Sequence, residues 1–88
     1  MARVTLYATA ACPYCRAAAR LLAQKGVTDV ETVRVDLEPA RRGEMQARSG
    51  RCTVPQIWIG AQHVGGCDEL YALERSGELD ALLETERT

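Results

Sequence analysis

Two cysteines separated by two residues, Cys12-Pro13-Tyr14-Cys15, sit between segments of opposite periodicity. Before them, residues 3–8 set Val4 and Leu6 against Thr5 and Tyr7, the period-two pattern of a short strand. After them, Pro13 to about Gln24 is rich in Ala, Leu and Arg. Ala18, Leu21 and Leu22 share one helical face there, and Gly26 is a natural stop. Pro13 falls at the first helical position, where its fixed φ and missing N–H are tolerated. A strand that passes through a tight turn into a helix, with a thiol on the turn, leaves few architectures open.

The rest of the chain extends the same plan. Residues 31–37 alternate again, with Val33, Val35 and Leu37 expected on one side of a second strand. Pro39 opens a second helix through Met45 to about Ser49, closed by Gly50; Gly43 inside it weakens the helix by about 1 kcal/mol against Ala. Thr53-Val54-Pro55 leads into the strand Gln56-Ile57-Trp58-Ile59, and Gly60-Ala61-Gln62 turns it into the short strand His63-Val64. Gly65-Gly66 follows, and Asp68 is expected to cap a helix carrying Leu70 and Leu73, ended by Gly77. Leu79, Leu82 and Leu83 mark a last short helix before a charged, frayed tail. The order βαβαββα(α) implies an α/β fold with a four-stranded mixed sheet and helices on both faces. With 88 residues and neither repeat nor linker, one domain over 1–88 is expected.

Composition narrows the function. Eleven Lys and Arg against twelve Asp and Glu leave a net charge of −1, which argues against nucleic acid as a partner. No apolar run approaches the roughly 20 residues of a membrane span. The start, Met1-Ala2-Arg3-Val4-Thr5-Leu6-Tyr7, has no apolar signal region, so no membrane partner and a cytoplasmic location are expected. Thiols are kept reduced there. The four cysteines, 12, 15, 52 and 67, are then redox groups or metal ligands before they are structural disulfides.

A C-x-x-C that follows a first strand and opens a helix is the context of a thioredoxin-like redox motif. At a helix N-terminus the free N–H groups and the dipole favour negative charge, and the thiolate is the nucleophile of disulfide exchange. Cys12 is placed for that role. Cys15, one turn on, can attack a mixed disulfide at Cys12 and close an intramolecular bond. The competing reading is half a zinc site, but Cys52, His63 and Cys67 lack the paired spacing that zinc ligands show, so no metal is expected.

Cys12-Pro13-Tyr14-Cys15, Thr53-Val54-Pro55-Gln56-Ile57 and Gly65-Gly66-Cys67-Asp68 together resemble a glutaredoxin, of the small bacterial type-three dithiol class, over Val4 to about Leu83. The resemblance implies a thioredoxin fold that uses glutathione as reducing co-substrate, with no tightly bound cofactor. Its substrates would be disulfide-containing or glutathionylated proteins, in an oxidoreductase acting as a monomer in electron transport and redox homeostasis. Cys12 and Cys15 would be catalytic. Val54-Pro55 would be a cis peptide beside the thiol, leaving the Val54 N–H and C=O to pair glutathione's cysteine as an added strand, with Thr53 and Pro55 also in the glutathione site. The amides of Gly66, Cys67 and Asp68 would hold the γ-glutamyl carboxylate, and the Asp68 side chain the α-amino group. Tyr14 would be exposed and line the same groove.

One position departs from the pattern. Many glutaredoxins carry Lys three residues before the first active cysteine, whereas this chain has Thr9. Arg41 or Arg42, at the start of the second helix, is a candidate for the substitute charge, though the sequence does not show how far either reaches. Cys67, at the glutathione edge, is open to glutathionylation or an inter-chain disulfide, but a quiet thiol is the simpler expectation for it and for Cys52. Trp58 is assigned to packing and His63 to the hairpin surface. Two other functions are weighed. An iron–sulfur carrier bridging a cluster between chains is disfavoured by Pro13, and a donor recharged by thioredoxin reductase is disfavoured by the G-G-C-D segment.

Overall fold

The structure, a computed structural model, describes residues 3–85. Its elements are β1 (Val4–Ala8), α1 (Pro13–Gln24), β2 (Val30–Arg34), α2 (Pro39–Ser49), β3 (Gln56–Ile59), β4 (Gln62–Gly65), α3 (Cys67–Ser76) and α4 (Glu78–Thr85). The expected charged tail falls on residues 86–88, outside the described residues. The sheet is four-stranded in the order β2-β1-β3-β4. β1 pairs in parallel with β2, Val4 opposite Val30, and antiparallel with β3, Val4 opposite Ile59. The expected four-stranded mixed sheet forms, from elements that follow the expected chain order βαβαββα(α).

Both faces of the sheet are buried, and the alternation along β1 explains how. Val4 and Leu6 enter a core with Ala18, Leu22, Ile57, Ile59, Leu70, Leu79 and Leu83, under α1, α3 and α4. Tyr7 points the other way, into a smaller core with Val33, Val35, Met45 and Trp58 under α2. A residue that alternates away from one core therefore lands in a second one. Trp58 meets the expectation that it packs on the face opposite Ile57 and Ile59.

Leu37 corrects the second-strand reading. β2 ends at Arg34; the chain turns there, with the Leu37 and Glu38 N–H groups donating to the Arg34 carbonyl. Val35 still donates to the Ala8 carbonyl and is buried, whereas Leu37 is 69 % exposed. The helix stops fall where glycine was placed, with φ of 72° at Gly50 and 81° at Gly77. Among the described residues no helix is long and apolar enough to cross a membrane.

Gly65 is a position where glycine is required. Its φ is +117°, and an added Cβ would stand 2.7 Å from Glu69 Oε1. That oxygen cannot swing away freely, because it accepts the Gly66 N–H at 2.6 Å and meets Arg51 at 3.3 Å. Gly65→Ala is therefore expected to destabilise the fold by roughly 1–3 kcal/mol, the scale of a side chain forced into this region. Denaturant unfolding checks it, and a loss below about 0.5 kcal/mol would contradict the packing described.

Candidate active site

Cys12 is the N-cap of α1, with extended backbone at φ −120° and ψ 104°. Its Sγ accepts the Cys15 N–H at 3.2 Å, so one free donor of the helix N-terminus is aimed at the sulfur. The same Sγ lies 3.9 Å from the Val54 carbonyl oxygen. Val54-Pro55 is a cis peptide, as the resemblance implied. The first thiol therefore sits between a helix N-terminus and the backbone of the loop before β3. Both catalytic candidates are nearly closed to solvent, Cys12 at 8 % and Cys15 at 4 %.

The two thiols are not equivalent. Burial pushes the Cys15 thiol up, its hydrogen bond with Cys12 adds to that, and a backbone contact with Thr9 opposes it. Cys15 thus keeps its proton, while the Cys12 sulfur accepts the Cys15 N–H. Burial also raises the Cys67 thiol, with the Asp68 charge next in effect, which fits the expectation of a quiet thiol there. Cys52 is exposed.

Beside the thiols lies a groove of about 250 Å³, lined by Tyr14, Thr53, Val54, Pro55, Gly66, Cys67 and Asp68 together with Arg51, Gln56 and Glu69. Seven residues named from sequence thus converge on one cavity. Tyr14 is 64 % exposed at its rim. Asp68 is displaced from its expected capping role: the N-cap of α3 is Gly66, and Asp68 is inside the first turn. The cap is served instead by Glu69, whose carboxylate accepts the Gly66 N–H. That contact, followed by Arg51, holds the Glu69 carboxyl below its ordinary range against an opposing effect of burial.

Arg51 and Glu69 escaped the sequence reading, which has Gln56 only as part of the Thr53-Val54-Pro55-Gln56-Ile57 segment. Only Glu69 had a signal, since a Glu three residues into a helix from its cap is half of a capping box. Arg41 and Arg42 are corrected. Arg41 pairs with Glu44 at 3.1 Å and reaches Glu31 at 3.9 Å, while Arg42 approaches the Cys52 carbonyl; neither lines the groove. Among the described lining residues, Arg51 is the cation. Ala10, in the loop before Cys12, is tied at both ends of its peptide. Its N–H donates to Asp36 at 3.3 Å and its carbonyl accepts from Arg16 at 3.3 Å. Asp36 is in turn gripped by Arg34 through two bonds of 2.8 and 2.7 Å.

His63 is more engaged than a surface hairpin residue. It is half-buried, lies 4.5 Å from Trp58 between ring centroids, and meets Gln56 Oε1 at 2.8 Å. Burial holds it below the ordinary histidine range, with Arg51 and Arg48 adding and Glu69 opposing. Among the described residues no group of three or more His, Cys, Asp or Glu side chains is placed to hold a metal ion.

A cysteine-bearing helix N-terminus facing a cis-proline loop, on a β2-β1-β3-β4 mixed sheet, defines a thioredoxin-fold protein. The comparisons are more specific. The glutaredoxin family model matches residues 4–64. A glutaredoxin of Pseudomonas aeruginosa is 55% identical over 83 residues, 94% of this chain and 98% of that protein. Glutaredoxin 3 of Escherichia coli is 55% identical over 84 residues, 96% of this chain and 100% of its own. The crystal structure of a buckwheat glutaredoxin–glutathione complex superposes with a TM-score of 0.85 at 29% identity, over 94% of this chain and 77% of that one. This chain belongs to the glutaredoxin family.

Proposed function

We propose that the Cys12/Cys15 pair reduces protein disulfides and glutathione mixed disulfides, with glutathione bound in the groove beside Cys12. As a glutaredoxin the chain is a glutathione-dependent thiol–disulfide oxidoreductase. The observation that carries the assignment to these residues is the placement of Cys12 Sγ. It sits 3.2 Å from the Cys15 N–H and 3.9 Å from the Val54 carbonyl.

Two routes use the same nucleophile. With a glutathionylated protein, the Cys12 thiolate attacks the glutathione sulfur and the protein leaves as a thiolate. A second glutathione thiolate then attacks the bound glutathione sulfur, releasing glutathione disulfide and restoring Cys12. With a protein disulfide, attack of Cys12 leaves a mixed disulfide with the protein. Cys15 then attacks the Cys12 sulfur, passes its proton to the departing protein thiolate, and leaves a Cys12–Cys15 disulfide for two glutathiones to reduce. A protonated Cys15 suits this order, since it waits until a mixed disulfide has formed.

The groove supplies the orientation. The Thr53 and Val54 backbone offers an edge for the extended cysteine residue of glutathione, with Pro55 behind it. The N-terminus of α3, at Gly66, Cys67 and Asp68, suits the γ-glutamyl carboxylate, and the exposed Asp68 carboxylate suits the adjacent ammonium. Tyr14 covers the rim. Arg51 adds positive charge to the groove, where its guanidinium meets Glu69 beside the N-terminus of α3. We assign the activity to one domain over residues 1–88, acting as a monomer in the cytoplasm on disulfide-bearing proteins. That assignment draws on the two cores that cover the faces of the sheet and on the need for a reducing glutathione pool.

Cys15→Ser incubated with oxidised glutathione should carry one glutathione, on Cys12, by peptide mapping in a mass spectrometer. An adduct confined to Cys52 or Cys67 would refute the assignment. Thr9→Lys is expected to speed alkylation of Cys12 by iodoacetamide at pH 7 by no more than about fivefold, since a screened surface charge contributes ~1 kcal/mol or less. A much larger gain would show that the α1 N-terminus alone activates the thiol poorly.

A further inference from the structure

Gln56 is the fully buried polar side chain among the described residues, with 0 % exposure, and it directly follows Pro55 on β3. Its amide nitrogen donates to the Thr53 carbonyl at 3.0 Å and to Thr53 Oγ1 at 3.3 Å. Its amide oxygen lies 2.8 Å from His63 Nε2. An amide that uses its nitrogen toward Thr53 has only an acceptor left for its third partner, so His63 Nε2 carries the proton and donates.

His63 is itself fixed from behind. It comes from β4, and its ring is stacked at a 30° tilt on Trp58. Trp58 is packed in turn by the Arg48 guanidinium, 4.3 Å from the ring centroid, and edge-on by Tyr7 at 5.3 Å. Arg48 also donates to the Tyr7 hydroxyl at 2.9 Å, and that hydroxyl donates to Glu44. The contacts form a continuous path from α2, across the back of the sheet, to Thr53 at the groove. Thr53 and Val54 belong to no strand or helix, so side-chain bonds of this kind decide where that loop stands.

We propose that His63 is a positioning residue for the glutathione groove, holding the Thr53-Val54 edge in place through Gln56. The proposal rests on the reading of that groove as the glutathione site. Without a donor at position 63, the Gln56 amide loses the bond that sets its orientation, and Thr53 loses its anchor. Cys12 depends on this path little, because its sulfur is held by its own helix through the Cys15 N–H at 3.2 Å and meets the Val54 carbonyl only at 3.9 Å. Loss of the donor therefore acts on binding of the tripeptide and leaves the intrinsic reactivity of the thiol alone.

The test compares His63→Phe, which keeps a ring on Trp58 but has no N–H, with His63→Gln, whose amide can donate to Gln56. KM and kcat are measured on a glutathionylated peptide in the glutathione-coupled assay, together with the alkylation rate of Cys12. His63→Phe should raise KM about fivefold, the equivalent of one ordinary hydrogen bond, at wild-type kcat and wild-type alkylation rate. His63→Gln should recover most of the loss, and in a Gln56→Leu background His63→Phe should add nothing further. An unchanged KM in His63→Phe overturns the proposal. So do a matching fall in kcat and alkylation rate, an absence of rescue by Gln, or full additivity with Gln56→Leu. A wild-type protein without glutathione-coupled turnover would instead overturn the functional reading on which the proposal stands.

Discussion

Cys12→Ser is expected to reduce thiol transfer to the uncatalysed background with glutathionylated and disulfide substrates alike. Both routes begin with attack by the Cys12 sulfur, and a serine hydroxyl forms no thiolate at neutral pH. The other thiols cannot take over. Cys15 and Cys67 are buried and held protonated, the first beneath Cys12 and the second in the first turn of α3. Cys52 is exposed, but it stands on a loop and not at a helix N-terminus facing the Val54 carbonyl. The fold should persist, since the Cys12 side chain contributes only a small share of its core. Initial rates on both substrates and a thermal melt check this; substantial turnover in the folded variant would assign the nucleophile elsewhere.

Cys15→Ser should separate the two routes. Deglutathionylation needs Cys12 and a second glutathione, so the variant keeps it. Reduction of a protein disulfide needs the mixed disulfide to be resolved, and intramolecular attack has an effective concentration far above that of a glutathione pool. Its loss should slow that route on the order of 10³-fold. Parallel rates on the two substrates, with and without Cys15, provide the measurement. An equal loss of both activities would mean that the Cys15 thiol serves in the first attack and not only in resolution, since serine keeps the backbone N–H that bonds the Cys12 sulfur.

Much of this was legible from the sequence because the chemistry lies in local spacing. Pro13 and Gly26 bound α1, and Pro39 and Gly50 bound α2, since these residues act on their own backbone. The three motifs converge because each flanks a helix or strand end on the same side of the sheet. What escaped depends on contacts between distant segments. Leu37 reads as part of an alternating strand, but β2 stops where the chain turns on the Arg34 carbonyl, and no local pattern encodes that stop. Arg51 and Glu69 are 18 residues apart and meet only when α3 folds back beside the loop before β3. The reach of Arg41 and Arg42 was equally invisible, because Glu44 and Glu31 claim Arg41 across α2 and β2. The α3 cap was misplaced by two residues, since Gly66 and Asp68 are both acceptable at that position and only Glu69, reaching back to Gly66, distinguishes them. His63 hid its role for a related reason: its partner Gln56 lies across a hairpin whose register shifts between Ile57 and Trp58.

The central claim is that electrons reach Cys12 from glutathione. It is tested most directly by following NADPH oxidation with a disulfide substrate and this protein, supplied either with glutathione and glutathione reductase or with thioredoxin reductase alone. Rapid oxidation in the first mixture and none in the second is the predicted result. Turnover sustained by thioredoxin reductase, with none from glutathione, would contradict it.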